Sequence, residues 1–427
     1  MSTTRPMIAC HECDLLQSES PLPPGGVLRC RRCSAELYRD HTDGVDRPLA
    51  LTLAAVVLFV IGNTFPIVGL AVNGDLVQTT LLRAVSVLYR DGIWPIAGLV
   101  FATTFLMPLL QMAAMIYLLV PLHFRRLPYR YDVVYRLLYL ARPWGMTEVL
   151  ILGMLVALVK LAHIASVAPG IALWSFGALM LLLAAAGAAF DPRALWQYVK
   201  VNHSGDANAF GAVRPRASAS GTAGTAMRCG LLGCHSCGLL VKSGKHPQAS
   251  CPRCGSNLHA RKPESFTRTW AFLIAAMVLY IPANAMPVMN TSSLFGTQKD
   301  TILSGVAYLW TSGSWILAVV VFIASIAVPM LKIIAIMFLV ISTQRRSVAL
   351  LPARTRIYRV VEFVGRWSML DIYVITILVA LVQFNALATI QAGPGAVAFG
   401  AVVVLTMCAA MSFDPRLMWD ATETDHV

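Results

Sequence analysis

Cys10-His-Glu-Cys13 and Cys30-Arg-Arg-Cys33 lie near the start of the chain, and Cys234-His-Ser-Cys237 and Cys251-Pro-Arg-Cys254 recur where a second half begins. Each pair of C-x-x-C turns brings four thiolates together, with 16 residues between the turns in the first set and 13 in the second. This is the spacing of a structural zinc ribbon, in which two knuckles close a tetrahedral S4 cage. A closed cage leaves no open coordination position, so chemistry at the metal is not expected. Two structural zinc ions are expected; iron in a rubredoxin-like site, or paired disulfides, are the alternatives. Domains this small need the metal to fold.

Long apolar runs succeed each cluster. The 427 residues are 57% hydrophobic and 13% charged, against about 45–50% and about 25% in a soluble domain. Eight spans are read, at about 48–72, 93–120, 147–168 and 170–190, then 269–290, 314–342, 369–390 and 395–413, each near the roughly 20 residues a bilayer requires. Net charge is +13, and the basic residues gather in two loops. One holds Arg125, Arg126, Arg130, Arg136 and Arg142; the other holds Arg345, Arg346, Arg354, Arg356, Arg359 and Arg366. The positive-inside rule places both loops in the cytosol and accounts for the charge without nucleic acid. The ribbons and both termini then fall on the cytosolic side, where thiolates stay reduced. No secretory signal peptide is expected, because the first apolar run begins near Leu49.

The halves repeat each other. Asn63-Thr-Phe-Pro66 matches Asn284-Ala-Met-Pro287, and Pro108 matches Pro329, all 221 residues apart. Trp144-Gly-Met-Thr-Glu148 matches Trp367-Ser-Met-Leu-Asp371, and Phe190-Asp-Pro-Arg193 matches Phe413-Asp-Pro-Arg416, at 223. An even number of spans per copy makes the repeats parallel. The expected architecture is an all-α polytopic membrane protein of two tandem four-helix bundles, each preceded by a ribbon. Its segments are a ribbon at 1–47, a bundle at 48–198, a flexible linker at 199–228, a ribbon at 229–262 and a bundle at 263–420.

Charged side chains inside a membrane are costly and mark pathways. Lys332 sits deep in its span, and Ser325, seven residues earlier, shares its helix face. Ser368 and Asp371 share a face of the next span, and Thr406 lies in the last. These five form a candidate polar column, with Lys332 and Asp371 as ion-pair or proton-carrying partners. The bland alternative is a snorkelling lysine and an aspartate that closes a helix end. In the first half Thr104 and Glu148 correspond to Ser325 and Asp371, Gln111 replaces Lys332, and Lys160 stands where the second half has Gln383. The second bundle is therefore expected to be the active one. Asn63, Pro66, Asn284 and Pro287 are expected to break helices on the far side, as plain kinks or as a gate.

The doubled ribbon-and-four-span layout, the Asn-x-x-Pro motifs, the Trp-x-Met-x-acidic motifs and the Phe-Asp-Pro-Arg ends together resemble the paraquat-inducible protein A family of bacterial inner-membrane intermembrane-transport proteins. The resemblance covers almost the whole chain. It implies lipid traffic between the two membranes of a diderm bacterium, with a membrane-anchored MCE-domain protein forming the periplasmic tunnel. Phospholipid or another lipid would be loaded into that tunnel or received from it. The rivals are a secondary transporter of a small polar solute and a membrane-bound metal or redox sensor. An enzyme is not expected: no nucleophile–base constellation is legible, and no G-x-x-x-x-G-K-[ST] loop is present to handle ATP.

Overall fold

The computed structural model describes residues 7–421 apart from 24, 41–43, 73–74, 163–165, 203–223, 243–249, 294–295, 312, 314, 382 and 385–387. The first ribbon consists of two hairpins, β1 (Met7–Ala9) with β2 (Leu16–Ser18) and β3 (Val27–Arg29) with β4 (Glu36–Arg39). Then come α1 (Asp46–Thr64), β5 (Val68–Val72), β6 (Asp75–Thr79), α2 (Leu81–Arg90), α3 (Trp94–Phe101), α4 (Met107–His123), α5 (Tyr131–Ala141), α6 (Thr147–Ala162), β7 (Ser166–Pro169), α7 (Ile171–Ala189) and α8 (Pro192–Asn202). The second ribbon contributes β8 (Leu231–Gly233) and β9 (Leu240–Lys242). The second half continues with α9 (Ser265–Ala285), β10 (Met289–Ser293), β11 (Gly296–Asp300), α10 (Ile302–Thr311), α11 (Trp315–Phe322), α12 (Val328–Gln344), α13 (Leu351–Trp367) and α14 (Leu370–Leu381). It closes with β12 (Gln383–Phe384), β13 (Ala388–Ala392), α15 (Pro394–Ser412) and α16 (Arg416–Asp420).

Among the described residues, seven helices are long and apolar enough to cross a membrane: Asp46–Thr64, Trp94–His123, Tyr131–Leu158, Ile171–Ala189, Ser265–Ala285, Ala318–Gln344 and Pro394–Asp420. The eighth span expected at about 369–390 is not among them. There α14 has 12 residues, about 18 Å at 1.5 Å per residue, and strand comes next. The expected spans at 48–72 and 147–168 likewise overrun, because their helices end at Thr64 and Ala162.

The purely helical expectation therefore needs correction, although the chain is mostly helical. On the side opposite the ribbons, β5 pairs antiparallel with β6 and β7 in one sheet. A second sheet has the order β11-β10-β13-β12. Apolar residues at span ends look alike in a helix and in a short buried strand, so periodicity did not separate the two.

The Asn-x-x-Pro motifs explain where the helices stop. Asn63 Nδ2 donates to the Phe59 carbonyl at 2.8 Å, and Asn284 Nδ2 to that of Tyr280 at 2.9 Å. Proline three residues later cannot continue the helical ladder. The chain turns, and the carbonyls there accept bonds from the start of the last helix of each half: Gly170 N to Ile67 O at 2.8 Å, and Gly393 N to Val288 O at 2.7 Å. A Cβ on Gly170 would lie 2.1 Å from Pro66 O, and one on Gly393 2.2 Å from Pro287 O, so only glycine fits.

The halves share one core. α14 packs against α2, α3 and α6 of the first half. Tyr373, fully buried, donates its hydroxyl to Thr103 Oγ1 at 2.9 Å. The backbones approach closely because position 153 is glycine: a Cβ there would lie 2.9 Å from Tyr373 Cβ.

Candidate functional site

Each cysteine knuckle is built the same way. The residue after the second cysteine, or after the fourth, takes a left-handed turn: Asp14, Ser34, Gly238 and Gly255 have φ of 60°, 59°, 71° and 65°. Its N–H bonds back to the carbonyl of the first cysteine of its turn, as from Asp14 to Cys10 at 2.9 Å and from Gly255 to Cys251 at 2.8 Å. The turns aim paired sulfurs inward.

Cys10 Sγ lies 3.5 Å from Cys33 Sγ and Cys13 Sγ 3.5 Å from Cys30 Sγ; in the second ribbon the distances are 3.5 Å for Cys234–Cys254 and 3.6 Å for Cys237–Cys251. A tetrahedral cage with Zn–S bonds of about 2.3 Å has edges of about 3.8 Å. Disulfides need about 2.05 Å, and all eight sulfurs are free thiols. In each cluster the four sulfurs lie within 4.8 Å of one another. Four thiolates that close repel each other, and a cation is what allows all of them to ionise. Each cluster can hold a metal ion.

The ribbons are seated crosswise. The first packs on the second half: Arg359 of α13 binds Glu12, between the first two cysteines, through Nε at 2.8 Å and Nη2 at 2.5 Å. Arg359 Nη2 also donates to the Cys33 carbonyl at 2.7 Å, and the Arg32 guanidinium lies 4.4 Å from the centre of a Trp419 ring. The second ribbon packs on the first half through the equivalent positions, 223 residues earlier on the helices; each ribbon also touches its own half, the first through Glu19 on Arg193 and the second through His235 on Arg416, both at 2.6 Å. Arg136 of α5 donates to the Gly255 carbonyl at 3.3 Å, and Arg253 lies 4.7 Å over a Trp196 ring. Tyr135 donates to the Ser236 carbonyl at 2.9 Å. The ribbons also touch each other, with Leu16 N on Gly224 O and Ala226 N on Asp14 O. Arg261, just after the second ribbon, joins Asp14 at 3.1 Å and Asp420 at 2.5 Å.

The polar interior lies in the second half. Two five-residue π-helical turns interrupt the second spans at Ala102–Leu106 and Ile323–Ala327. Each precedes a proline whose missing N–H would leave the carbonyl four residues back, on Thr104 or Ser325, without a donor in α register. Both residues are buried in these turns. Thr104 donates to the Val100 carbonyl at 2.7 Å.

Lys332, on α12, is 3% exposed, and its Nζ has no hydrogen-bond partner among the described residues. Ser368, in the turn between α13 and α14, is 2% exposed, and its Oγ is equally unpartnered. A Cβ on Gly365, in the last turn of α13, would lie 3.0 Å from Lys332 Nζ. Thr406 is buried on α15 and donates to the Val403 carbonyl at 3.0 Å. The side chain of Asp371, in the first turn of α14, lies outside the described residues, as does that of Lys160.

The first half lacks this arrangement. Gln111 Oε1 occupies the lysine's place, 3.1 Å from the Cβ position of Gly145, and Glu148 is exposed. Sequence reasoning passed over Gly365, Tyr373 and the Glu12–Arg359 pair. A helical glycine beside a buried lysine's turn leaves no periodic mark, and the ion pair spans 347 residues.

Among the described residues, seven apolar membrane-length helices, two four-cysteine centres and a buried lysine without a hydrogen-bond partner define a multi-pass membrane protein with metal-capable ribbons. Its relatives are transport proteins. The sequence model of the family described as "Paraquat-inducible protein A" matches residues 45–200 and again 266–423, and the chain belongs to that family. It is 34% identical over 422 residues to "Intermembrane transport protein PqiA" of Escherichia coli (strain K12), covering 98% of this chain and 97% of the relative. It is 30% identical over 415 residues to "Lipophilic envelope-spanning tunnel protein A" of the same strain, covering 97% and 91%. No solved structure matches the chain significantly.

Proposed function

We propose that this protein is a component of an intermembrane lipid transport system in a bacterial inner membrane, and that it loads lipid into, or receives it from, a periplasmic tunnel of MCE-domain protein. The observation that carries this reading is the pair of buried, unpartnered polar atoms, Lys332 Nζ and Ser368 Oγ. A buried ammonium without a partner costs several kcal/mol and is retained where it has a task. An anionic phospholipid headgroup fits that task, since it supplies the missing charge and the acceptors. Ser325 and Thr406 extend the column toward it, and Asp371 completes it as a proton partner for Lys332. Proton uptake from one side of the membrane by one of the two, transfer to the other and release to the opposite side would couple lipid movement to a proton gradient.

The two halves are, on this reading, tandem parallel copies of a four-span unit. Asn63, Pro66, Asn284 and Pro287 shape the far-side turns through which lipid leaves. Thr104, Gln111, Glu148 and Lys160 are the remnants of the column in the copy that braces. The ribbons hold zinc, which suits four thiolates in a closed tetrahedral shell. They lie in the cytosol with both termini, a topology the two arginine-rich loops support through the positive-inside rule. The protein is not an enzyme: it moves lipid without changing it. Reconstituted lipid transfer tests the function. Lys332→Ala and Asp371→Asn should each abolish transfer at unchanged protein level, and equal transfer in wild type and both variants would exclude the column.

A further inference from the structure

α13 joins two features that lie in different halves of the sequence. Arg359, on this helix, grips Glu12 and the Cys33 carbonyl of the first ribbon. Six residues on, Gly365 abuts Lys332 Nζ, and Ser368 comes three residues later. At 1.5 Å per residue the two contacts stand about 9 Å apart along one continuous helix. Such a segment moves as a rod, not as a hinge. Glu12 is placed by the cage itself, since it stands between Cys10 and Cys13 and is 7% exposed.

We propose that Arg359 is a positioning residue for the Lys332–Ser368 site: the first ribbon, through Glu12 and Cys33, fixes α13 and so holds Gly365 against Lys332, with Ser368 in the turn that follows. The proposal rests on the reading of that site as the lipid path. It assigns control crosswise. The first cysteine cluster governs the site in the second half. The second cluster, closer to that site in sequence, seats on Arg136 and Tyr135 of the first half and reaches the second half at Arg416, through His235, not at α13.

Amine-reactive labelling of Lys332, resolved by mass spectrometry in the full-length protein in nanodiscs, reads the position of α13 directly. Exposed Lys299 is the internal reference, and bound metal is counted in parallel. Lys332 should be protected in the wild type. Arg359→Ala, Glu12→Gln and Cys10→Ser should each raise its labelling about fivefold or more, as expected when local opening exposes a buried group. Arg136→Ala should leave it unchanged. The charge-reversed pair Glu12→Arg with Arg359→Glu should restore protection, which separates lost positioning from general unfolding. Wild-type labelling in Arg359→Ala with both metals retained would overturn the proposal, as would an equal rise in Arg136→Ala. If the pattern holds but Lys332→Met still transfers lipid, the lipid-path reading fails and the positioning by the first ribbon stands.

Discussion

Lys332 Nζ lies 3.0 Å from the point where a Cβ would sit on Gly365, so the ammonium rests against bare backbone in the last turn of α13. The end of a helix carries partial negative charge, which favours a cation beside it. The space the ammonium occupies exists only because position 365 has no side chain. Gly365→Ala should push the lysine head aside by a few tenths of an ångström and lower lipid transfer severalfold. Gly→Ala in a helix adds up to about 1 kcal/mol of intrinsic helix propensity, so thermal stability should hold or fall slightly. Transfer and melting temperature, measured on the same preparation, check this.

Lys332→Met separates task from stability. Methionine matches the length of the lysine stem and removes a buried ammonium that has no hydrogen-bond partner among the described residues. Removing an unpartnered buried charge relieves its desolvation cost, on the order of several kcal/mol per ion. The melting temperature should therefore stay level or rise while lipid transfer is lost. A fall in stability would mean that the ammonium has a binding partner in the lipid-free protein.

The seam between the halves makes a different prediction. Tyr373→Phe deletes the hydroxyl bonded to Thr103 at 2.9 Å and leaves the threonine without that partner, a loss of about 1 kcal/mol. Gly153→Val drives a branched side chain into Tyr373 Cβ and the Leu370 carbonyl, 2.9 and 3.3 Å from the first added atom. Overpacking of this kind costs about 1–3 kcal/mol. Thermal unfolding should rank the two variants in that order.

The cysteine clusters should be independent in stoichiometry. Cys13→Ser should remove one metal equivalent and Cys254→Ser the other, each leaving its neighbour loaded, by elemental analysis of purified protein. Acid should release both, because the ligands bind only as thiolates.

Much of the fold was legible in the sequence because its signals were local. The knuckles announced themselves through C-x-x-C spacing, and the long spans through unbroken apolar runs. Lys332 and Ser368 were singled out because polar residues in hydrocarbon are conspicuous. The features that escaped were non-local or ambiguous. β5 was absorbed into the first span, since Val68–Val72 is as apolar as the helix before it. The short helix α14 was lengthened into a full span for the same reason. The crossed seating of the ribbons rests on contacts such as Glu12–Arg359, which no local pattern encodes. The π turns hold Thr104 and Ser325, four residues before their prolines, and a proline alone does not encode the register of the turn before it.

Site-specific photo-crosslinking in native membranes puts the interior lipid path to its plainest test. A photoreactive residue in place of Ser325 or Thr406, each 1% exposed, should capture phospholipid, as should one at outward-facing Val278, 61% exposed. Lipid adducts at Val278 alone, with none at the two interior positions, would contradict a lipid path through the second half.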